Sequence, residues 1–153
     1  MDLYYMKMAL EEAKKAYDKG EVPIGAVVVR KGEVIAKGHN LRESLKDATA
    51  HAEIITIQKA CKNADGWRLT ESTLYVTIEP CPMCAGAILQ SRIDRVVIGA
   101  MDPKAGACGS VANIISNKDF NHQAEVVTGV MEEECSNIMK KFFKALRDSK
   151  QKQ

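Results

Sequence analysis

The chain has 153 residues, enough to bury one substantial core, and no stretch marks a second domain, so residues 1–153 read as a single domain. With 22 basic against 20 acidic residues the net charge is only +2, which excludes an overall polycation and makes any nucleic-acid site local. The five cysteines form no even disulfide framework, the start carries no apolar signal segment, and the longest apolar run, residues 26–29, is too short to cross a bilayer; a cytoplasmic protein without a membrane partner is expected.

Leu3, Met6, Leu10, Ala13 and Tyr17 recur at helical spacing between lysines and glutamates, which predicts an amphipathic helix over residues 3–17 ended by Gly20. Residues 23–29 and 33–38, rich in Val and Ile around Lys31-Gly32, predict a β-hairpin. A second helix is expected from Ala50 or His51, through Ile54, Ile55, Ile57 and Ala60, to about Lys62. Residues 73–78 then read as a strand, 82–90 as a helix with Pro82 in its favoured first turn, and 95–98 as a further strand.

Beyond Ala100 the composition turns small and polar over residues 102–110, as in binding loops. A short helix over 111–116 and a last strand over 125–128 are expected. Met131, Cys135, Ile138, Met139, Phe142 and Leu146 mark a long closing helix, with residues 148–153 as a frayed tail. Glu132, Glu133 and Glu134 near its start and Lys140, Lys141, Lys144 and Arg147 toward its end complement the helix dipole. Strands alternating with helices after an initial hairpin imply a layered α/β domain with a mixed sheet.

Two segments carry chemistry: His51-Ala52-Glu53 and, beginning twenty-nine positions after His51, Pro80-Cys81-Pro82-Met83-Cys84. Both fall at expected helix starts. Cys81 at a helix N-terminus favours a thiolate, and Cys84, three residues on, shares its face, so both sulfurs can approach one ion. An imidazole from His51 completes three good zinc ligands, one short of a closed structural site and the count of a catalytic one. Glu53, two residues from His51, does not share its helical face and makes a poor co-ligand. Two thiolates and a neutral imidazole cancel the charge of a zinc ion, so its water is acidified less than by three histidines; Glu53 is therefore expected to take the water proton and deliver it to the substrate.

His-x-Glu followed by Pro-Cys-x-x-Cys resembles the signature of the zinc-dependent nucleoside and nucleobase deaminases. Residues 21–27, Asn40, 49–53 and 74–87 look like those of the bacterial tRNA-specific adenosine deaminases, as do Gly99-Ala100-Met101-Asp102-Pro103-Lys104, Gly106, Gly109-Ser110, Phe120-Asn121-His122 and Phe142-Phe143. The resemblance implies a three-layer αβα cytidine-deaminase-like domain around a mixed five-stranded sheet. It implies hydrolytic conversion of adenosine to inosine at the wobble position of a tRNA anticodon, by zinc-activated water with Glu53 as proton shuttle. It also implies one zinc per subunit on His51, Cys81 and Cys84, a homodimer, and an anticodon stem-loop as partner. By the same resemblance Asn40 would bond the purine edge, Asp102, Lys104, Asn121 and His122 would hold target and flanking nucleotides, and Ala52 with the Cys81 N–H would complete the pocket. An anticodon loop already presents unstacked bases, so drawing one into a metal site costs little.

Other residues carry plainer readings. Cys61 and Cys135 fit a core, Cys108 stays open, and His39 reads as a surface or packing residue. Trp67 reads as a packing or subunit-interface residue. The helical stripe claims Phe142 for the core and leaves Phe143 for RNA bases or the pocket rim. The basic end, Lys140 to Lys152, suits phosphates or a solvated face equally. Two further functions compete: a guanine or cytosine deaminase acting on free bases, against which residues 102–110 and 120–122 argue, and a non-catalytic RNA-binding zinc module, against which Glu53 argues.

Overall fold

The computed structural model describes residues 1–151. Its elements run α1 (Asp2–Asp18), β1 (Gly25–Arg30), β2 (Glu33–His39), α2 (Ala52–Asn63), β3 (Ser72–Ile78), α3 (Pro82–Gln90), β4 (Arg95–Ala100), β5 (Glu125–Val127) and α4 (Glu132–Gln151). The sheet order is β2-β1-β3-β4-β5, with β1 antiparallel to both neighbours and β3, β4 and β5 parallel. The expected three-layer αβα arrangement with a mixed five-stranded sheet is the one observed.

Alternation along the central strands explains the layers. Ala26, Val28, Leu74, Val76, Val96 and Ile98 face a core shared with α2 and α3, whereas Val27, Val29, Tyr75 and Val97 face one shared with α1 and α4. Both faces are covered, so these strands read as continuous apolar runs rather than alternating ones. The Lys31-Gly32 turn carries positive φ at both positions, 52° and 80°, as a two-residue hairpin turn of matching twist requires.

Chain direction places the functional edge. β2, β3 and β4 all run the same way, so His39, Ile78 and Ala100 end at one edge of the sheet, and the N-termini of α2 and α3 lie there too. Ligand sites form at such strand C-termini because loops and helix starts converge there.

Two sequence expectations differ from the structure. Residues 111–116 form turns and an isolated bridge between Cys108 and Asn113, not a helix, because their backbone groups fold back on the preceding loop: Val111 and Ala112 N–H donate to Gly106 O and Ile114 N–H to Ala107 O. The closing helix, expected to give way to a tail at about 148, is helical to Gln151. Only Cys135 of α4 is fully buried, and residues 143–151 form an exposed, charged helix end. Lys152 and Gln153 lie outside the described residues.

Candidate active site

His51 is the N-cap residue of α2 and Cys81 the N-cap residue of α3, each with extended backbone, and Pro82 occupies the first turn where its missing N–H is harmless. Neither N-terminus is closed by a side-chain hydrogen bond, so the free N–H groups and dipoles of two helices favour anionic sulfur between them. His51 Nδ1 lies 3.6 Å from Cys81 Sγ and 3.6 Å from Cys84 Sγ. A tetrahedral zinc with Zn–N near 2.0 Å and Zn–S near 2.3 Å sets nitrogen and sulfur about 3.5 Å apart, close to the distances found. The donor set therefore fits that ion. Among the described residues no fourth Cys, His or carboxylate joins the group.

The thiols behave as a pair. Donation from Cys84, against burial, brings Cys81 down to about 5, while the same contact and then burial push Cys84 up. A divalent cation binds thiolates, so ligation at this pair displaces the thiol proton. Glu53 is 4% exposed, and burial pushes its carboxyl up to about 7.

His51, Glu53 and Cys81 line a cavity of about 190 Å³ together with Val22, Ile24, Asn40, Arg42, Ala52, Ile78, Glu79, Asp102 and Ala105, and Cys84 lies buried behind them. A cavity of roughly 150 Å³ accommodates benzene, so this one takes a single ring system and not several nucleotides. It shares Val22, Ile24, Arg42, Ile78 and Asp102 with a broader groove of about 890 Å³. Lys104, Lys140, Phe143, Arg147 and Lys150 line the outer groove, and Phe143 is 39% exposed there. The basic end of α4 thus flanks the entrance.

Asn40 Nδ2 donates to Val22 O and its Oδ1 accepts the Arg42 N–H, so the amide that lines the cavity also shapes the turn behind it. Asp102 Oδ1 accepts the N–H groups of Lys104 and Ala105 and thereby caps its own turn. Asn121 and His122 are not brought to this cavity. β5 runs parallel to β4, so the chain must return to the far edge before starting it; His122 Nε2 accordingly sits 2.9 Å from Ile93 O, before β4 begins. At about 3.3 Å per residue, β4 separates that edge from the site by nearly 20 Å.

Several other side chains take definite places. His39 points away from the cavity to a buried pair with Glu12 and to Lys19, tying α1 to β2. Cys135 and Cys108 are buried, with Cys108 pushed up to about 12 by that burial, while Cys61 is only partly covered. Phe142 packs edge-on against Tyr17 and is partly exposed, and Trp67 is half-exposed beneath the Arg68 guanidinium. Arg42, Glu21 and Glu79 also stand at the site or behind it, and no motif in the sequence marks them. Their signal was weak: Glu21 and Glu79 stand inside family-like segments, but only the fold shows what their carboxylates hold.

Comparison with known proteins agrees with this architecture. The family profile of MafB19-like deaminases matches residues 2–147. A tRNA-specific adenosine deaminase of Bacillus subtilis (strain 168) is 57% identical over 149 residues, covering 97% of this chain and 92% of the relative. A solved tRNA:A34 deaminase, studied for A-to-I editing at the wobble position of transfer RNA, superposes with a TM-score of 0.85 at 46% identity, over 88% of this chain and 98% of that one. A guanine deaminase structure from Bacillus subtilis is more distant, with a TM-score of 0.63 and 38% identity over 70% of this chain and 69% of its own. The chain belongs to the MafB19-like deaminases and to the family of tRNA-specific adenosine deaminases.

Proposed function

We propose that this chain converts adenosine to inosine at the wobble position of a tRNA anticodon, as a homodimer with one zinc ion per subunit held by His51, Cys81 and Cys84. The observation that carries the reading is a single-base cavity, floored by an open three-donor cluster and a buried Glu53, that opens onto a basic groove. A free base needs no such groove. Flanking nucleotides and phosphates do.

The reaction adds water: a C–O bond forms at the amine-bearing ring carbon, the exocyclic C–N bond breaks, and ammonia leaves. When bound, zinc supplies Lewis-acid polarisation of a water molecule. Glu53, outside the ligand group, accepts the water proton on its carboxylate and returns it to the departing amino nitrogen; burial raises its proton affinity toward that task. Val22, Ile24 and Ile78 supply an apolar wall, while the Asn40 amide and Ala52 frame the base. Lys104, Arg42 and the α4 cations track the backbone, and Phe143 offers a face for an adjacent base. Asn121 and His122 take no part in their own subunit's site in this reading.

The test is to incubate the purified protein with a tRNA bearing adenosine at the wobble position and to sequence the product. Inosine confined to that position is expected; unedited tRNA would overturn the proposal. Metal analysis and sedimentation test the zinc stoichiometry and the homodimer, both of which rest on the family resemblance.

A further inference from the structure

Glu79 lies at the cavity wall just after β3, is 4% exposed, and forms no salt bridge with any of the described residues. Its charge is met by donors from one loop. Oε1 accepts the Asp102 N–H at 2.8 Å and the Ser110 hydroxyl; Oε2 accepts the N–H groups of Cys108 and Ser110, each at 3.0 Å. A carboxylate offers about four lone-pair positions, and all four are used. Nothing remains for a metal or a substrate proton.

The loop is shaped around this group. Gly106 lies against the carboxylate so closely that a Cβ there would collide with it. The backbone closes beside it, with Gly106 N–H donating to Asp102 O and Ala107 N–H to Pro80 O. From Glu79 the order passes outward: its bond fixes the Asp102 N–H, the Asp102 carboxylate caps the turn carrying Lys104, and Ala105 from that turn lines the cavity.

We infer that Glu79 is a positioning residue for substrate recognition: it holds residues 102–110 as the substrate-side wall and sets where Asp102, Lys104 and Ala105 meet the RNA, without touching the reacting atoms. The inference rests on the proposed tRNA reading for its kinetic consequence, and on geometry alone for its structural one.

Glu79→Gln is a selective probe. An amide must turn its NH2 group toward one of the two donor pairs. The less costly choice faces Asp102 N–H and Ser110 Oγ, because the hydroxyl can rotate to accept; Asp102 alone then loses its acceptor. A variant with the wall loosened at Asp102 should raise KM for an anticodon stem-loop roughly tenfold while kcat changes less than about threefold. Bound metal should match wild type. Amide exchange, followed residue by residue, should quicken at Asp102 by roughly tenfold and stay unchanged at Cys84 and Ala85. Gly106→Ala, which pushes the loop off the carboxylate, should reproduce the KM effect and serves if Glu79→Gln fails to fold.

Unchanged KM in both variants, or unchanged exchange at Asp102, overturns the inference. So does metal loss with a matching fall in kcat, since Glu79 would then be supporting Cys81. If wild type itself leaves the stem-loop unedited, the tRNA reading fails, and the exchange pattern still decides whether Glu79 holds the loop.

Discussion

On one side of the cavity, His51, Cys81 and Cys84 project from the first turns of α2 and α3, helices packed on the sheet, so three donors are placed by secondary structure. On the other side Asn40, Arg42, Asp102 and Lys104 stand on loops, and loops need tethers. Two buried carboxylates supply them. Glu21 accepts the N–H groups of Glu43 and Ser44 and the Ser44 hydroxyl; Glu79 accepts four donors from residues 102–110. In both acids burial acts to raise the pKa, and the donors together outweigh it and hold the group below its ordinary value. The difference suggests a division of labour. In the proposed function the helix side fixes the reaction and the tethered loops choose the substrate.

That division breaks most visibly at Glu53. Glu53→Ala should lower turnover by about 10²- to 10⁴-fold while bound metal, measured by mass spectrometry, stays at wild-type level. Loss of the metal would place Glu53 among the ligands and merge its role with theirs.

On the loop side the effects should be smaller and should appear in binding. Lys104→Ala and Asp102→Ala should each weaken editing by roughly tenfold with metal unchanged, the first by removing a phosphate contact, the second by uncapping its turn. The Lys104 variant should also lower the salt dependence of kcat/KM, by about 0.7 in the double-logarithmic slope for one lost contact to single-stranded RNA. Wild-type kinetics in both would remove this loop from the site.

Glu21→Gln should cost about 1–3 kcal/mol in denaturant unfolding, because it leaves buried loop donors without an acceptor. Its kinetic mark should again be a raised KM, since the loop it holds carries Arg42. A fall in kcat alone would contradict the comparison.

The smallest effect lies away from both sides. Asp2 bridges Arg95 through two hydrogen bonds and accepts the Tyr75 hydroxyl, and the Arg95 contact first of all lowers its pKa from 3.8 to about 2. This stabilisation is complete above 3.8 and disappears as pH falls through about 2. Asp2→Asn should therefore cost about 1 kcal/mol at neutral pH, with the gap to wild type closing below pH 3 and editing unaffected. A gap that persists at pH 2 would show that the pair acts through packing rather than charge.

What was legible in the sequence follows the same line. The spacing of Cys81 and Cys84 is local, and residues three apart at a helix start are neighbours; His51, thirty residues earlier, was legible as their partner through the His-x-Glu and Pro-Cys-x-x-Cys resemblance. The loop side depends on chain reversal. Asn121 and His122 resembled site residues, yet the parallel pairing of β5 with β4 requires their segment to start from the opposite edge. Residues 111–116 have the composition of a short helix, but the backbone bonds they make to Gly106 and Ala107 win over that local preference. Glu79 sits beside Pro80 in plain view. Its role appears only once a loop more than twenty residues later folds onto it.

In the proposed function one metal-side geometry performs the reaction and the loops direct it to an anticodon. A competition measures this directly: wild-type protein is given a wobble-adenosine stem-loop and free guanine together, and inosine in the RNA and xanthine in solution are quantified over time. Inosine at the wobble position, with xanthine at the background level, is the expected result. Xanthine accumulating beside unedited RNA would contradict it.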